Sequence, residues 1–152
     1  MIYTFDSNIV LASLRSPEFG NHIRSKYPVT SPNTTFSIST VTVGELLAIA
    51  KKNHWGTKRQ LQLSQALSQF LIIPINRVEI LDQYAWLDAY SQGRLEEFPL
   101  PSETSARNMG KNDLWIAATA SALGATLVTA DKDFQHLTSL ISIDLLDLSA
   151  FV

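Results

Sequence analysis

The sequence has no cysteine, which excludes disulfides, thiolate zinc sites and cysteine nucleophiles. That absence suits a reducing cytosol, although a chain without cysteine is compatible with any compartment. Charge is also scarce: Asp, Glu, Lys and Arg make up 17% of the 152 residues, against about 25% in average chains. With 45% apolar residues, this is the composition of a globular chain, not of a disordered tail. No apolar run approaches the ~18–20 residues of a membrane span. The opening Met1-Ile2-Tyr3-Thr4-Phe5-Asp6 places an acid where a signal peptide carries basic residues. Repeats, low-complexity tracts and internal linkers are missing too. One soluble, cytoplasmic domain spanning 1–152 is expected, without a membrane partner. The histidines His22, His54 and His136 are scattered, with no HxH or HExxH spacing, and none is assigned to metal.

The chain alternates short apolar runs with helical patterns. Ile2–Phe5, Phe36–Ile38, Leu71–Ile75, Ala125–Thr129 and Ile143–Leu146 read as strands. Helices are expected from Ile9 with Asn8 as cap, over Val41–Lys52 after Ser39 or Thr40, over Lys58–Leu71 and Arg77–Gln92, and over Lys111–Leu123 stopped by Gly124. Residues 94–110, with two prolines and many polar groups, read as an exposed connection. Strands alternating with helices imply a three-layer α/β/α domain with a mainly parallel central sheet.

Within that pattern several acids sit where acids are unusual. Asp6 immediately follows the first strand, and Asp131 closely follows the Leu127–Thr129 strand. In an open parallel sheet ligands collect at the carboxyl ends of strands. Asp in a turn is also an ordinary cap. Asp113 shares a helix face with Ile116, Ala117 and Ala120, so its carboxylate points toward the sheet, where an acid is costly unless paired or bound to metal. A first-turn acid favoured by the helix dipole is the plainer reading. Glu45 lies in line with Val41, Ala48 and Ile49; Thr42-Val43-Gly44-Glu45 also matches a capping box. If the helix begins near Ser39, Glu45 lies too deep for that role. Four acids gathered at one edge would form a hard oxygen site for Mg²⁺ or Mn²⁺.

With these acids laid out, the chain resembles the PIN-domain nucleases, and within them the VapC-type toxins of toxin–antitoxin pairs. The matching segments are Tyr3-Thr4-Phe5-Asp6-Ser7-Asn8, Ile38–Leu46, Asn112-Asp113-Leu114-Trp115-Ile116-Ala117-Ala118 and Leu127–Phe134. The resemblance implies that Asp6, Glu45, Asp113 and Asp131 are catalytic metal-binding acids and that Asp133 adds to the metal site. It implies that Ser7, Asn112 and Thr129 steady those acids. The implied reaction is Mg²⁺- or Mn²⁺-dependent cleavage of RNA, tRNA or rRNA among the candidates. The implied partners are a second copy of the chain and a VapB-type antitoxin. Residues 94–110 look longer than the matching connection in compact relatives, and 15–35 is also generous.

Lys51, Lys52, Lys58 and Arg59, beside Trp55, form a candidate RNA-contact patch with Trp55 as a stacking platform; a solvated helix corner is the plainer reading. Tyr84, Trp86 and Tyr90 suit a partner groove or ordinary packing, and Trp115 a dimer face. Two other functions compete with the nuclease. A PIN-like module could grip RNA or protein without cutting. A small-molecule phosphatase would want a second Asp two residues after the first, where Asn8 stands.

Overall fold

A computed structural model describes residues 1–28 and 30–151. Val29, inside the long 15–35 stretch, and Val152, the end of the expected domain, lie outside the described residues. Five strands form one sheet: β1 (Ile2–Phe5), β2 (Thr35–Ser39), β3 (Leu71–Ile73), β4 (Thr126–Thr129) and β5 (Ile143–Leu145). Their order is β3-β2-β1-β4-β5, and every pairing is parallel. The helices are α1 (Ser7–Arg15), α2 (Pro17–Lys26), α3 (Thr40–Lys52), α4 (Thr57–Leu67), α5 (Val78–Ser91) and α6 (Lys111–Leu123). No helix among the described residues is long and apolar enough to cross a membrane.

The strands are apolar on both faces because both faces are covered. On one side Ile9, Phe19, Leu46 and Leu63 of α1, α2, α3 and α4 pack on Phe5, Ile38 and Val128. On the other, Ile80, Leu87, Leu114 and Ile116 of α5 and α6 pack on Ile73 and Leu127. Consecutive Leu127 and Val128 thus serve opposite layers, as the two-residue period of a strand requires. The result is the three-layer α/β/α arrangement that the alternation implied. Thr4 and Ser37, fully buried on β1 and β2, share a hydrogen bond of 2.9 Å between their hydroxyls, which is how two polar side chains are tolerated there.

Helix α6 is the central one. Leu114 and Ile116 through Ala120 are all buried, so its apolar residues are not confined to a stripe. It ends on Gly124 in the left-handed region, φ 62°, a conformation that costs an L side chain about 1 kcal/mol. Gly124→Ala is therefore expected to lower unfolding free energy by roughly 1 kcal/mol, read as a lower urea midpoint with unchanged slope.

Helices α1, α2 and α4 differ from the sequence reading, and β3 ends at Ile73, two residues before the expected Ile75. Helix α1 begins at Ser7 with Asp6 as its cap, not at Ile9 with Asn8, because the Asp6 carboxylate reaches the Ser7 amide while Asn8 turns to another partner. Helix α2 was not anticipated. Helix α4 stops at Leu67, short of the expected Leu71, and a turn leads into β3. Residues 94–110 form neither helix nor strand, as expected.

The strand order positions the site. From β1 the chain steps outward through β2 and β3, then returns to β4 and β5 on the other flank. The carboxyl ends of β1 and β4 therefore flank the point where the topology reverses, the place where such sheets leave a crevice.

Candidate metal centre

Register brings the first acid into the crevice. Phe5 pairs with Val128, and the Asp6 amide donates to the Val128 carbonyl at 2.9 Å, so Asp6 lies beside Thr129. Asp6 is 4% exposed. Its Oδ1 accepts from the Ser7 amide at 2.7 Å and its Oδ2 from the Thr129 hydroxyl at 2.7 Å. The same Thr129 oxygen accepts from the Asp131 amide at 3.0 Å. Asp131 Oδ1 in turn accepts from the Asp133 amide at 2.9 Å, capping the 3₁₀ turn Lys132–Leu137. Asn8 completes the clamp, its Oδ1 accepting from the Ala130 amide at 3.2 Å. One chain of hydrogen bonds thus ties the start of α1 to the loop after β4.

The start of α3 settles the position of Glu45. Ser39 is the cap, its hydroxyl accepting from the Val41 amide at 3.1 Å. Glu45 therefore lies in the second turn, and the capping-box reading falls. Glu45 Oε2 accepts from Asn112 Nδ2 at 3.5 Å, while its Oε1 is buried without a partner. Asp113 stands in the first turn of α6, half-buried, on the face that continues into buried Ile116, Ala117 and Ala120.

These acids disturb one another. Burial first, then the charges of Asp6, Asp131, Glu45 and Asp133, push the Asp113 carboxyl up to about 6. Burial also raises Asp6, with the Thr129 and Ser7 hydrogen bonds pulling the other way and Asp131 adding to the rise. Glu45 is raised by burial and then by Asp6. Carboxylate oxygens of Asp113, Asp131 and Asp133 come within 4.8 Å of one another. Asp6 and Glu45 adjoin that trio closely enough to feel its charge. An all-oxygen donor set, mutually repelling, with one buried carboxylate oxygen left without a donor, fits a hard divalent cation.

With its proton affinity raised in the fold, Asp113 binds protons more tightly folded than unfolded, so metal-free stability is present at low pH and is lost as pH rises from about 4 through about 6. Discounted for a half-exposed group, the loss is roughly 1 kcal/mol. Thermal melts in EDTA are expected to show a falling midpoint across that window, and Asp113→Asn to flatten it.

Of the basic patch, Lys51, Lys52, Lys58 and Arg59 are all exposed. Lys52 lines a groove with Glu45 and Asn112. Trp55 is 8% exposed, with Arg59 at 6.0 Å from its ring centroid, so it offers no free face to a base. The aromatics of α5 pack: Trp86 stacks on Tyr90 and Tyr84 on Trp115. Sequence reasoning missed two polar residues at the site. Asn8 was read as a helix cap. Arg107 lies in the irregular 94–110 segment, where no periodicity places a side chain. Its amide donates to the Ser91 carbonyl at 2.7 Å, and it lines a groove with Asp113 and Asp133.

The model of the PIN domain matches residues 3–140. Ribonuclease VapC2 of Rickettsia felis is 32% identical over 144 residues, covering 93% of this chain and 96% of that protein. Ribonuclease VapC1 of Haemophilus influenzae is 28% identical over 145 residues, covering 92% and 95%. In fold, the chain superposes on the VapBC2 structure from Rickettsia felis bound to a DNA fragment from their promoter, with TM-score 0.70, 24% identity and coverage of 97% of this chain and 100% of that one. The VapBC-1 structure from nontypeable Haemophilus influenzae gives TM-score 0.70 at 24% identity, covering 95% and 98%.

Proposed function

Because the chain belongs to the PIN-domain family, we propose that it is a divalent-metal-dependent endoribonuclease, the toxin of a VapBC-type pair, working as a single cytoplasmic domain. The observation that carries the reading is the gathering of Asp113, Asp131 and Asp133 beside Asp6 and Glu45 where the sheet topology reverses. Relatives named Ribonuclease VapC align with nearly the whole chain, and the structural neighbours are VapBC complexes. They support a VapB-type antitoxin as partner. A homodimer and a structured RNA substrate, tRNA or rRNA, complete the proposal.

Asp6, Glu45, Asp113 and Asp131 would hold Mg²⁺ or Mn²⁺, with Asp133 adding charge at the rim. When bound, such an ion makes water more acidic and neutralises charge building on phosphorus. The remaining work falls to the chain. Thr129 and the Ser7 amide hold both oxygens of Asp6 in place and partly oppose the rise in its proton affinity that burial causes. Asn112 holds one oxygen of Glu45 and leaves the other free. Asp131 is oriented by capping the turn that carries Asp133. No side-chain nucleophile is needed. Hydrolysis adds water across the phosphodiester, one oxygen to phosphorus and a proton to the departing ribose oxygen.

The non-cleaving reading drew on Glu45 as a helix cap and on the lack of a clear basic groove; the cap role is gone, since Ser39 caps α3. Purified protein, freed of any copurifying partner, is expected to cut total RNA into discrete products in Mg²⁺ or Mn²⁺ and to stop in EDTA. Binding of RNA that is indifferent to metal, with no products in either condition, would overturn the nuclease.

A further inference from the structure

The acids create a difficulty for an RNA substrate. Five carboxylates gather at one edge of a chain whose net charge is −2, and each incoming phosphate is repelled by them. A bound metal would offset that charge at the reacting phosphate, so it is the flanking phosphates that need basic residues close to the acids. Two grooves adjoin the site, and consecutive residues of the first turn of α6, Asn112 and Asp113, line one each. Asn112 lines one groove with Glu45 and, on the same face of α3, Lys52. Asp113 lines the other, of about 290 Å³, with Asp133 and the segment 105–110 that carries Arg107. Both Lys52 and Arg107 are exposed. Neither makes an ion pair among the described residues, although acids line both grooves.

Arg107 is also held in a definite place. Its amide is fixed to the Ser91 carbonyl at the end of α5. Two residues on, Met109 is buried, receiving the Ser91 hydroxyl at its sulfur, 3.3 Å away, while His136 Nε2 lies 2.9 Å from the same hydroxyl. The backbone at Arg107 is anchored while its side chain is exposed, and a fixed backbone lowers the entropic cost of holding a phosphate there. A planar guanidinium can also take two phosphate oxygens at once, as an ammonium cannot.

We propose that a single RNA strand crosses the acid site from one groove to the other, its flanking phosphates held by Lys52 on the α3 side and by Arg107 on the 105–110 side. Arg107 is then a positioning residue, and the segment that carries it helps to choose which RNA is cut. This rests on the ribonuclease reading above.

The test uses the full chain with Asp6→Asn to prevent cleavage, and a short fluorescein-labelled single-stranded RNA followed by anisotropy across a salt series. Adding Arg107→Ala or Lys52→Ala is expected to weaken binding about 5- to 10-fold and to flatten the salt slope by ~0.7 each. Arg107→Lys is expected to keep the slope and recover only part of the affinity. With the acids intact, Arg107→Ala should raise KM for the cleaved RNA and leave kcat within about twofold, since uniform binding is what is removed. Unchanged affinity and slope in folded Arg107→Ala and Lys52→Ala proteins would overturn the track while leaving a cleaving wild type untouched. RNA binding that depends on Arg107 in a protein that cuts nothing would instead remove the nuclease and keep the track. No RNA binding by the parent would remove both.

Discussion

Asp113→Asn protein is expected to cleave RNA about 10³-fold or more slowly than the parent, while melting at a higher temperature than the parent in EDTA. The two effects have one cause. Asp113 is surrounded by Asp6, Asp131, Glu45 and Asp133, and burial and their charges together raise its carboxyl to about 6. At neutral pH the metal-free fold therefore keeps an ionised group in an environment that disfavours it. The amide has nearly the same shape and no charge, so it relieves the repulsion and removes a metal ligand at once. The gain in stability should amount to roughly 1 kcal/mol, or ~2–4 °C for a chain of this size. Added Mn²⁺ should raise the melting point of the parent more than that of the variant. Circular dichroism establishes the fold, and cleavage of total RNA in Mn²⁺ reads the activity. A variant that melts higher and still cleaves at the parent rate would remove Asp113 from the chemistry and leave it only a strained acid.

Much of this architecture is legible because it depends on patterns that a sequence carries openly. Strand β1 and helix α6 fall where the apolar run and the Gly124 stop place them. The edge that holds Asp6 and Asp131 follows from parallel strands having their carboxyl ends on one side. Glu45 stayed ambiguous until the start of α3 was known, since a shift of a few residues turns a cap into an inward-facing acid. Helix α2 does carry a local signal in the sequence. Ser16 caps it through the Phe19 amide, Pro17 stands in its first turn, and Glu18 follows, an N-terminal signature. Gly20 and Asn21 obscured it. The position of Trp55 was less accessible. A tryptophan among lysines reads as surface, yet the turn after α3 folds its ring into the layer with Leu46 and Leu63. Arg107 was illegible for a different reason. It belongs to an irregular segment whose course is set by tertiary anchors, the Ser91 carbonyl and buried Met109, and no local pattern encodes those.

Thr129→Val tests whether the hydrogen-bond chain beneath the acids matters as much as the acids. The hydroxyl of Thr129 is fully buried, donates to Asp6 Oδ2 and accepts from the Asp131 amide. Valine fills the same space and makes neither bond. The buried Asp6 carboxylate and the part-buried Asp131 amide each lose a partner, which costs about 1–3 kcal/mol. The pH dependence has a definite sign. The Thr129 bond is what pulls the Asp6 carboxyl down against burial, so without it the folded-state proton affinity of Asp6 rises further above its unfolded value. The added penalty falls on the ionised carboxylate. It is absent at low pH, where Asp6 is protonated in both states, and grows as pH rises through the carboxylate range. Cleavage is expected to fall about 10- to 100-fold, with the Mn²⁺ concentration for half-maximal rate shifted upward because Asp6 holds its proton more tightly and is free to turn. Raising pH or Mn²⁺ should recover part of the rate. Thr129→Ser, which keeps the hydroxyl and loses only a methyl group, should retain most of the activity and lose less stability. If Thr129→Val is destabilised yet cleaves with unchanged metal dependence, the hydroxyl serves the fold alone, and Asp6 must be held by the Ser7 amide without it.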